Sequence, residues 1–574
     1  MKTVTHKADF CVVGGGLAGM CAAIAAARHG LKTVLMQDRP VLGGNASSEV
    51  RMWVCGAHGK NNLETGLIEE IHLENLYRNN YPNYSIWDSI LYEKVRFEPN
   101  ITLLLNCSCT EAAMRGGRIA SVKGWQTTAE TRHAVEAACF ADCSGDSILA
   151  PLTGAQFRIG REAASEFNED IEPPVADRKT MGMSCLIQVR QTEGPKRFVP
   201  PTWAHQYATD ADLPNRHHLL GGWQNFWWLE LGGEFDSIHD TETLRDELLK
   251  IALGVWDHIK NRGDHGADNW VLEWLGFLPG KRESRRYVGD HIMTQNDVRA
   301  EGRFDDVVAY GGWSMDDHHP AGFRYPGAPT IFHPAPSPYG IAYRCLYSRN
   351  IENLLFAGRN ISVTHAAMSS TRVMATCALL GQAAGTAAAI AAAKGLSPRG
   401  VYEKELTLLQ QTLMDDDAYL PWKARAVSAL SRAARLTAAG GDPEPLRSGI
   451  DRPVGDALNA WQGACGDAIE YRFDKPAALR EARIVFDSDL NRGGKNMIAY
   501  YPHQMPEFCV PATMVKAFRI DLEVNGAWQA AYRADNNYQR LVRVPLTQTA
   551  TAVRLVLEST WGSPAVTVFA FEVR

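Results

Sequence analysis

The stretch that most constrains this chain is Ala8-Asp9-Phe10-Cys11-Val12-Val13-Gly14-Gly15-Gly16-Leu17-Ala18-Gly19, where an apolar strand runs into a glycine turn and then into an alanine-rich helix. Gly14, Gly16 and Gly19 have the spacing G-x-G-x-x-G. The first glycine makes the tight turn, the second lets backbone approach a pyrophosphate, and the third packs helix against strand. Phosphates would rest on the free N–H groups of the helix start, Leu17 and Ala18, at the positive end of the helix dipole. The stretch therefore predicts a dinucleotide site. Leu17 to Arg28 reads as helix, Gly30 ends it, and Thr33 to Met36 reads as a second parallel strand, completing a βαβ unit. Where the fingerprint places an acid for the ribose hydroxyls stand Gln37 and Asp38, either able to make that bond, with Arg39 beside them for a nearby anion.

The loop from Pro40 to Gly59 is dense in Gly, Ser and Asn, and loops of that composition bind or turn. Gly43 and Gly44 allow close backbone approach to a cofactor, and Asn45, Ser48 and Arg51 follow them as candidate contacts. Helical periods are expected over Leu63–Arg78 and Trp87–Glu98, and strands over Ile101–Leu105, Ile119–Trp125 and Val135–Phe140. Cys139 to Asp146 again runs from strand into a Gly-Asp turn, so Gly145 and Asp146 mark a second meeting of backbone and cofactor. From 155 to 345 helical period weakens, except over Thr241–Lys260, and aromatics crowd among polar residues: Trp223, Phe226, Trp227, Trp228, Trp256, Trp270, Trp274 and Trp313. This region reads as a substrate domain whose aromatics would suit stacking on sugar rings, with plain core packing as the competing reading. Asn353 to Arg359 is again a strand ending in glycine, and Ser369–Ala392 reads as one long helix.

These patterns predict an α/β fold: a Rossmann-like domain over 1–154 and 346–436, an inserted mixed α+β substrate domain over 155–345, a linker over 437–454 and a C-terminal β-sandwich over 455–574. With 45% hydrophobic and 22% charged residues among 574, the chain is globular. Its net charge of -6 leaves no general cationic surface for nucleic acid. The apolar run Ala383–Ala393 is too short to span a bilayer and reads as a buried helix, so no membrane partner is expected. Twelve scattered cysteines without C-x-x-C read as reduced thiols. The N-terminus lacks the plan of a signal peptide, which makes a cytoplasmic location the default expectation.

Several segments resemble the FAD-dependent oxidoreductases of the glutathione-reductase-like superfamily, and more narrowly a bacterial, carbohydrate-associated group labelled xanthan-lyase-like. The resemblance is carried by Gly14–Gly19, Val41–Arg51, Pro279–Asp290, Tyr339–Leu346, Leu354–Ser362 and Ser370–Thr386, and spans residues 8 to about 421. The last domain is similar to galactose-binding-like or discoidin-like sandwiches. The resemblance implies FAD as the resident cofactor. By it, Gly358 and Arg359 would lie along the ribityl-pyrophosphate, and Arg372, Val373 and Met374 near the ring, where a helix N-terminus and an arginine would stabilise the reduced flavin.

Flavin oxidation of an alcohol carbon needs a base for the hydroxyl proton, and histidine suits it. His58, beside the Gly43 loop, and His365, between the Gly358 turn and the Arg372 helix, are the favoured candidates, ahead of His318, His319 and His333. Arg51 and Arg285, with Arg286, would clamp a carboxylate or sugar hydroxyls, or else form a buried ion-pair network. Asp316-Asp317-His318-His319 is read as a polar substrate loop, and no metal site is expected. The expected function is hydride transfer between a polyhydroxylated small molecule or oligosaccharide and flavin N5. Two alternatives are redox-neutral glycoside cleavage by oxidation, elimination and re-reduction, and a carbohydrate-binding protein with a vestigial flavin domain. The electron acceptor is not specified by the sequence, and a homo-oligomer is compatible with it.

Overall fold

The computed structural model describes residues 2–221, 225–493 and 496–574; Trp223 lies outside them. Two compact units divide the chain. The first holds Met1–Ala57, Tyr81–Leu409 and Lys495–Glu507, and the second His58–Asn80, Gln410–Gly494 and Phe508–Arg574.

The first unit is built on β1 (Lys2–Val13), α1 (Leu17–Arg28), β2 (Thr33–Met36), α2 (Tyr84–Arg96), β3 (Ile101–Leu104), β4 (Cys107–Arg115), β5 (Arg118–Gln126), β6 (Thr131–Asp142) and β7 (Leu354–Phe356). Its sheet has seven strands in the order β3-β2-β1-β6-β5-β4, with β7 on β6. β1, β2, β3, β6 and β7 pair in parallel, while the β4–β5 and β5–β6 pairs are antiparallel. The parallel register puts Met36, Val13, Asp142 and Phe356 side by side at the C-terminal edge. Their successors at this edge are Gln37, the Gly14 turn, the Gly145 turn and the Gly358 turn, so segments far apart in sequence open on one place. In open parallel sheets that edge is where ligands bind.

α1 is buried from Leu17 to Ala27, which its run of alanines permits. It packs against a long helix, and the closeness of that contact is set by glycine. A Cβ on Gly381 would lie 2.0 Å from the Ala18 carbonyl oxygen, and one on Gly385 2.1 Å from that of Ala22. The expected single helix Ser369–Ala392 is in fact two. Naming α3 for Thr241–Asp257, they are α4 (His365–Thr371) and α5 (Met374–Lys394). The break falls at Val373, whose backbone is extended (φ −65°, ψ 146°) and whose side chain is buried with Trp53 and Cys55. No Gly or Pro marks it, so the periodicity reads straight through. α5 is apolar enough by length and composition to cross a membrane, and 94% of its most apolar window is buried within the protein.

Residues 155–345 belong to the same unit and form small sheets: Met183–Ser184 between Glu230–Leu231 and Gly280–Lys281, Ile187–Gln191 between Trp270–Leu275 and Tyr500–Tyr501, and Met315–His318 on Thr330–His333. Trp228 and Trp256 are core residues here: Trp228, Met183 and Ile187 share one cluster with Leu248 and Trp256 of α3.

In the second unit, two antiparallel sheets of five and four strands enclose a core that includes Trp461, Phe486, Phe518, Leu555 and Phe571. The helix Leu67–Arg78 contributes Leu73 to this core, a long-range partnership no local pattern announces. All twelve cysteines are free thiols, ten of them buried.

Candidate functional site

The Gly14 turn is shaped by contact. Gly14 has φ +103°, and a Cβ there would lie 2.5 Å from Cys143 and Ser144 backbone; one on Gly19 would lie 1.8 Å from the Gly14 carbonyl oxygen. Gly16 differs: its nearest neighbour to an added Cβ is Gly44 Cα at 3.9 Å. Gly43, itself at φ +101°, is bridged to Gly16 and donates its N–H to the Gly15 oxygen at 2.9 Å. The two glycine loops thus meet backbone to backbone. No side chain caps the start of α1, and its first turn carries no acid, leaving the helix dipole open to an anion.

Gln37 has a different task from the ribose contact expected of it. Its Oε1 accepts from Gly15 N at 2.6 Å and its Nε2 donates to the Val41 oxygen at 3.2 Å, so it braces the glycine turn from inside. Asp38 is the exposed carboxylate left at that edge, with Arg39 paired to it and to Glu49. Asn45 donates to the Lys281 carbonyl, and the Ser48 N–H is held by Asp88. Arg51 (φ +59°) lies between the rings of Tyr84 and Trp274, 4.9 and 4.6 Å from their centres, and donates to Gln188 and to the Ser48 carbonyl. Its planar cation is spent on stacking and loop closure rather than on a substrate clamp.

At the second turn Asp142, buried, accepts from Ser144 N and Oγ, Leu149 N and the Tyr287 hydroxyl, fixing the chain as it leaves β6. Asp146 is a hub: Lys281 Nζ at 2.9 Å, Arg359 at 2.8 Å and Ser284 Oγ at 2.7 Å converge on it. Burial alone would raise its pKa, but Arg359 and Lys281 outweigh that and hold it near about 2. The Arg359 guanidinium also lies 2.6 Å from where a Gly145 Cβ would be, which ties the second and third glycine turns together. Arg285 donates to the Asp146 carbonyl and covers the Phe157 ring. Arg286 fulfils the ion-pair alternative: fully buried, it joins Glu283 and Glu162 and donates to the carbonyls of Gly160 and Val363.

His365 is buried with both ring nitrogens occupied, Nδ1 by Glu283 Oε2 at 2.8 Å and Nε2 by Asp317 Oδ1 at 3.2 Å. Burial would lower its pKa, but the two carboxylates raise it well above the ordinary value. With a carboxylate on each nitrogen, His365 turns no ring nitrogen toward a substrate, which corrects its assignment as base. His58 is an exposed residue of the second unit, its carbonyl accepting from Asn62, and so stands outside the unit that carries the glycine turns. His318 is enclosed by Glu230 (2.6 Å) and Asp316 (3.2 Å), and His319 stacks on Tyr325.

The strand Met315–His318 therefore sends two adjacent carboxylates to two partners. Asp316 meets His318, Thr330 and Arg372, the last at 3.0 Å, and Asp317 meets His365. Asp317 keeps 21% of its side chain exposed while His365 behind it is fully buried. Sequence reasoning missed Glu162, Glu172 and the split roles of Asp316 and Asp317, because acids in loops resemble a solvated surface. Glu172 is 5% exposed and accepts from Ala366 N with one oxygen, leaving the other buried and unpartnered. Burial pushes it up to about 7, partly offset by the His365 charge.

Whether these residues fit a flavin is answered by their unused polar atoms. Arg359 Nε and Asn360 Oδ1 at the Gly358 turn, and Thr371 Oγ1 and Arg372 Nε where α4 gives way to α5, are all buried without a hydrogen-bond partner. Buried groups normally find partners, and the hydroxyls and ring edge of a flavin are groups that would offer them. Beside them, Trp53, Val373 and Ala499 form a buried cluster on which Met52, Trp227 and Trp313, only partly buried, pack.

A sheet whose parallel strands gather three glycine turns at their C-terminal edge, with an uncapped helix start at the first, defines a dinucleotide-binding protein. The chain belongs to the FAD dependent oxidoreductase family, whose model matches residues 9–413. It is an FAD-dependent oxidoreductase, and FAD is its cofactor. Comparison with curated proteins finds no match. Among solved structures, the chain is similar to a geranylgeranyl bacteriochlorophyll reductase-like protein from Thermoplasma acidophilum (12% identity, 72% of this chain and 85% of that one, TM-score 0.30). It is also similar to the family 32 carbohydrate-binding modules of Streptococcus pneumoniae EndoD (16% identity, 26% and 99%, TM-score 0.20) and of C. perfringens NanJ (9%, 26% and 97%, 0.19). TM-scores this low give none of the three any weight in assigning a function.

Proposed function

We propose that this oxidoreductase oxidises a hydroxyl-bearing carbon of a polyhydroxylated molecule, a sugar or glycoside, and that Asp317 receives the hydroxyl proton. The observation that carries the reading is what meets at Arg372–Val373. Arg372 bonds Asp316 through one nitrogen and leaves Nε unpartnered, Val373 opens α5, and the neighbouring strand presents Asp317, paired to His365 and still 21% exposed. FAD, when bound, supplies the hydride acceptor. Asp317 is held ionised: burial raises its pKa, but the hydrogen bond and charge of His365 bring it below the ordinary carboxylate value. It takes the proton as hydride leaves, and the His365–Glu283 pair behind it fixes its orientation. The partly exposed rings of Trp227 and Trp313 give apolar faces on which a sugar ring stacks, while its hydroxyls find Asp317. Placement in the glutathione-reductase-like superfamily belongs to this proposal and is supported by the same three-turn architecture.

The test is anaerobic mixing of the FAD-loaded protein with a panel of free sugars, glycosides and simple alcohols, following flavin absorbance. Persistent bleaching by at least one polyhydroxylated compound and not by simple alcohols is expected. Bleaching by none of the sugars or glycosides overturns the reading.

A further inference from the structure

Away from the glycine turns, four side chains converge on one point: Asp210, His218, His258 and His265, whose nearest ligand atoms all lie within 4.8 Å of one another. His258 Nε2 is 3.0 Å from Asp210 Oδ1 and 3.2 Å from His265 Nε2; His265 Nε2 is 3.4 Å and His218 Nδ1 3.8 Å from the same carboxylate oxygen. We propose that these four residues bind a zinc-type divalent transition-metal ion.

Three features argue for an ion rather than a polar cluster. The first is spacing: ligands about 2.0–2.1 Å from a tetrahedral ion lie roughly 3.3 Å apart, and the observed separations bracket that value. The second is hydrogen placement. His258 Nδ1 lies 3.0 Å from the Tyr207 carbonyl oxygen, which only accepts, so Nδ1 carries a hydrogen and Nε2 is the nitrogen left facing the cluster. Nε2 faces a carboxylate oxygen and a second imidazole nitrogen, atoms that a cation between them would take as ligands. An imidazole ligand whose other nitrogen donates to a backbone carbonyl is also the usual outer support of a metal-bound histidine. The third is convergence: His218 Nδ1 lies 3.8 Å from the same carboxylate oxygen that His258 and His265 approach, bringing a third imidazole to it.

The chain holds these ligands on two supports. His258 follows α3 and opens a single π-helical turn, His258–Arg262, a distortion that often marks a functional place in a helix. Asp210 begins a short turn locked by a reciprocal Thr209–Asp212 cap. Asp210 is exposed and the imidazoles are sunk beneath it, which gives an ion its way in. Three imidazoles and a carboxylate suit Zn2+ by ligand type, and four protein ligands fill a tetrahedron, so the ion staples residues 209–218 to the end of α3 instead of taking part in redox chemistry. The Asp316–His319 run, which first suggests a metal, is by contrast committed to ion pairs and stacking.

The test measures metal by mass spectrometry on the FAD-loaded full chain after growth with added Zn2+ and desalting, and binding by competition with a chromophoric chelator. About one Zn2+ per chain is expected, with Asp210→Asn and His265→Gln each weakening Zn2+ at least tenfold while FAD content stays unchanged. Co2+ in place of Zn2+ is expected to give the visible bands of a tetrahedral site in the difference spectrum. Zn2+ at background in the wild type, or equal Zn2+ affinity in wild type and both variants, overturns the proposal.

Discussion

Gly16 separates a glycine kept for a ligand from one kept for the fold. Its backbone (φ −66°, ψ 176°) is ordinary for alanine, and the added Cβ would meet nothing nearer than 3.9 Å. Gly16→Ala therefore leaves the apoprotein's stability within about 0.5 kcal/mol, or raises it by up to about 1 kcal/mol by restricting the unfolded chain. The methyl would, however, fill the space through which a pyrophosphate reaches the first N–H groups of α1. Losing one or two charge-assisted hydrogen bonds at about 1.5–3 kcal/mol each weakens FAD by roughly tenfold to twenty-thousandfold. Gly19→Ala is the contrast: its Cβ would lie 1.8 Å from the Gly14 oxygen, so the helix must shift and both stability and FAD fall. Urea denaturation of the apoproteins and fluorescence titration with FAD measure the two quantities. A Gly16→Ala protein that binds FAD as wild type does would refute the placement of the pyrophosphate.

Glu172, with a folded pKa raised to about 7 from an ordinary 4.5, holds its proton more tightly folded than unfolded. Its contribution is therefore most favourable at low pH, declines as pH rises from about 4.5 to about 7, and is flat above, a span of roughly 3 kcal/mol; Glu172→Gln should flatten that part of the stability profile in urea melts. Glu283→Gln leaves buried Arg286 and His365 short of their shared carboxylate and is expected to cost about 3–5 kcal/mol in the same assay. Trp313→Ala should raise KM for the sugar by a few-fold to about tenfold, in keeping with a lost stacking face of about 0.5–1.5 kcal/mol, with FAD affinity unchanged in titration.

The cofactor half of the site was legible because its signals are local. Gly14, Gly16 and Gly19 sit together in one short motif with recognisable spacing, and β1, β6 and β7 end in turns visible as strand-to-glycine transitions. The other half was not, because its signals are long-range. His365 reads as a neutral base until Glu283 and Asp317, 82 and 48 residues away, are found on its two nitrogens. Arg51 reads as a clamp until Tyr84 and Trp274 close over it. The α4–α5 break depends on where Val373 is buried, and the four proposed metal ligands are spread from Asp210 to His265 with no motif spacing. Only the paired His258 and His265, on either side of a glycine-containing turn, carried a local trace.

The central claim is that proton and hydride leave the substrate together beside Arg372–Val373, with Asp317 as acceptor. The rate of anaerobic flavin reduction by a reducing sugar, compared between wild type and Asp317→Asn at equal FAD content, tests it most directly. A fall of about 10²–10⁴-fold is predicted, the usual worth of a positioned base. Equal rates in the two proteins would contradict the account.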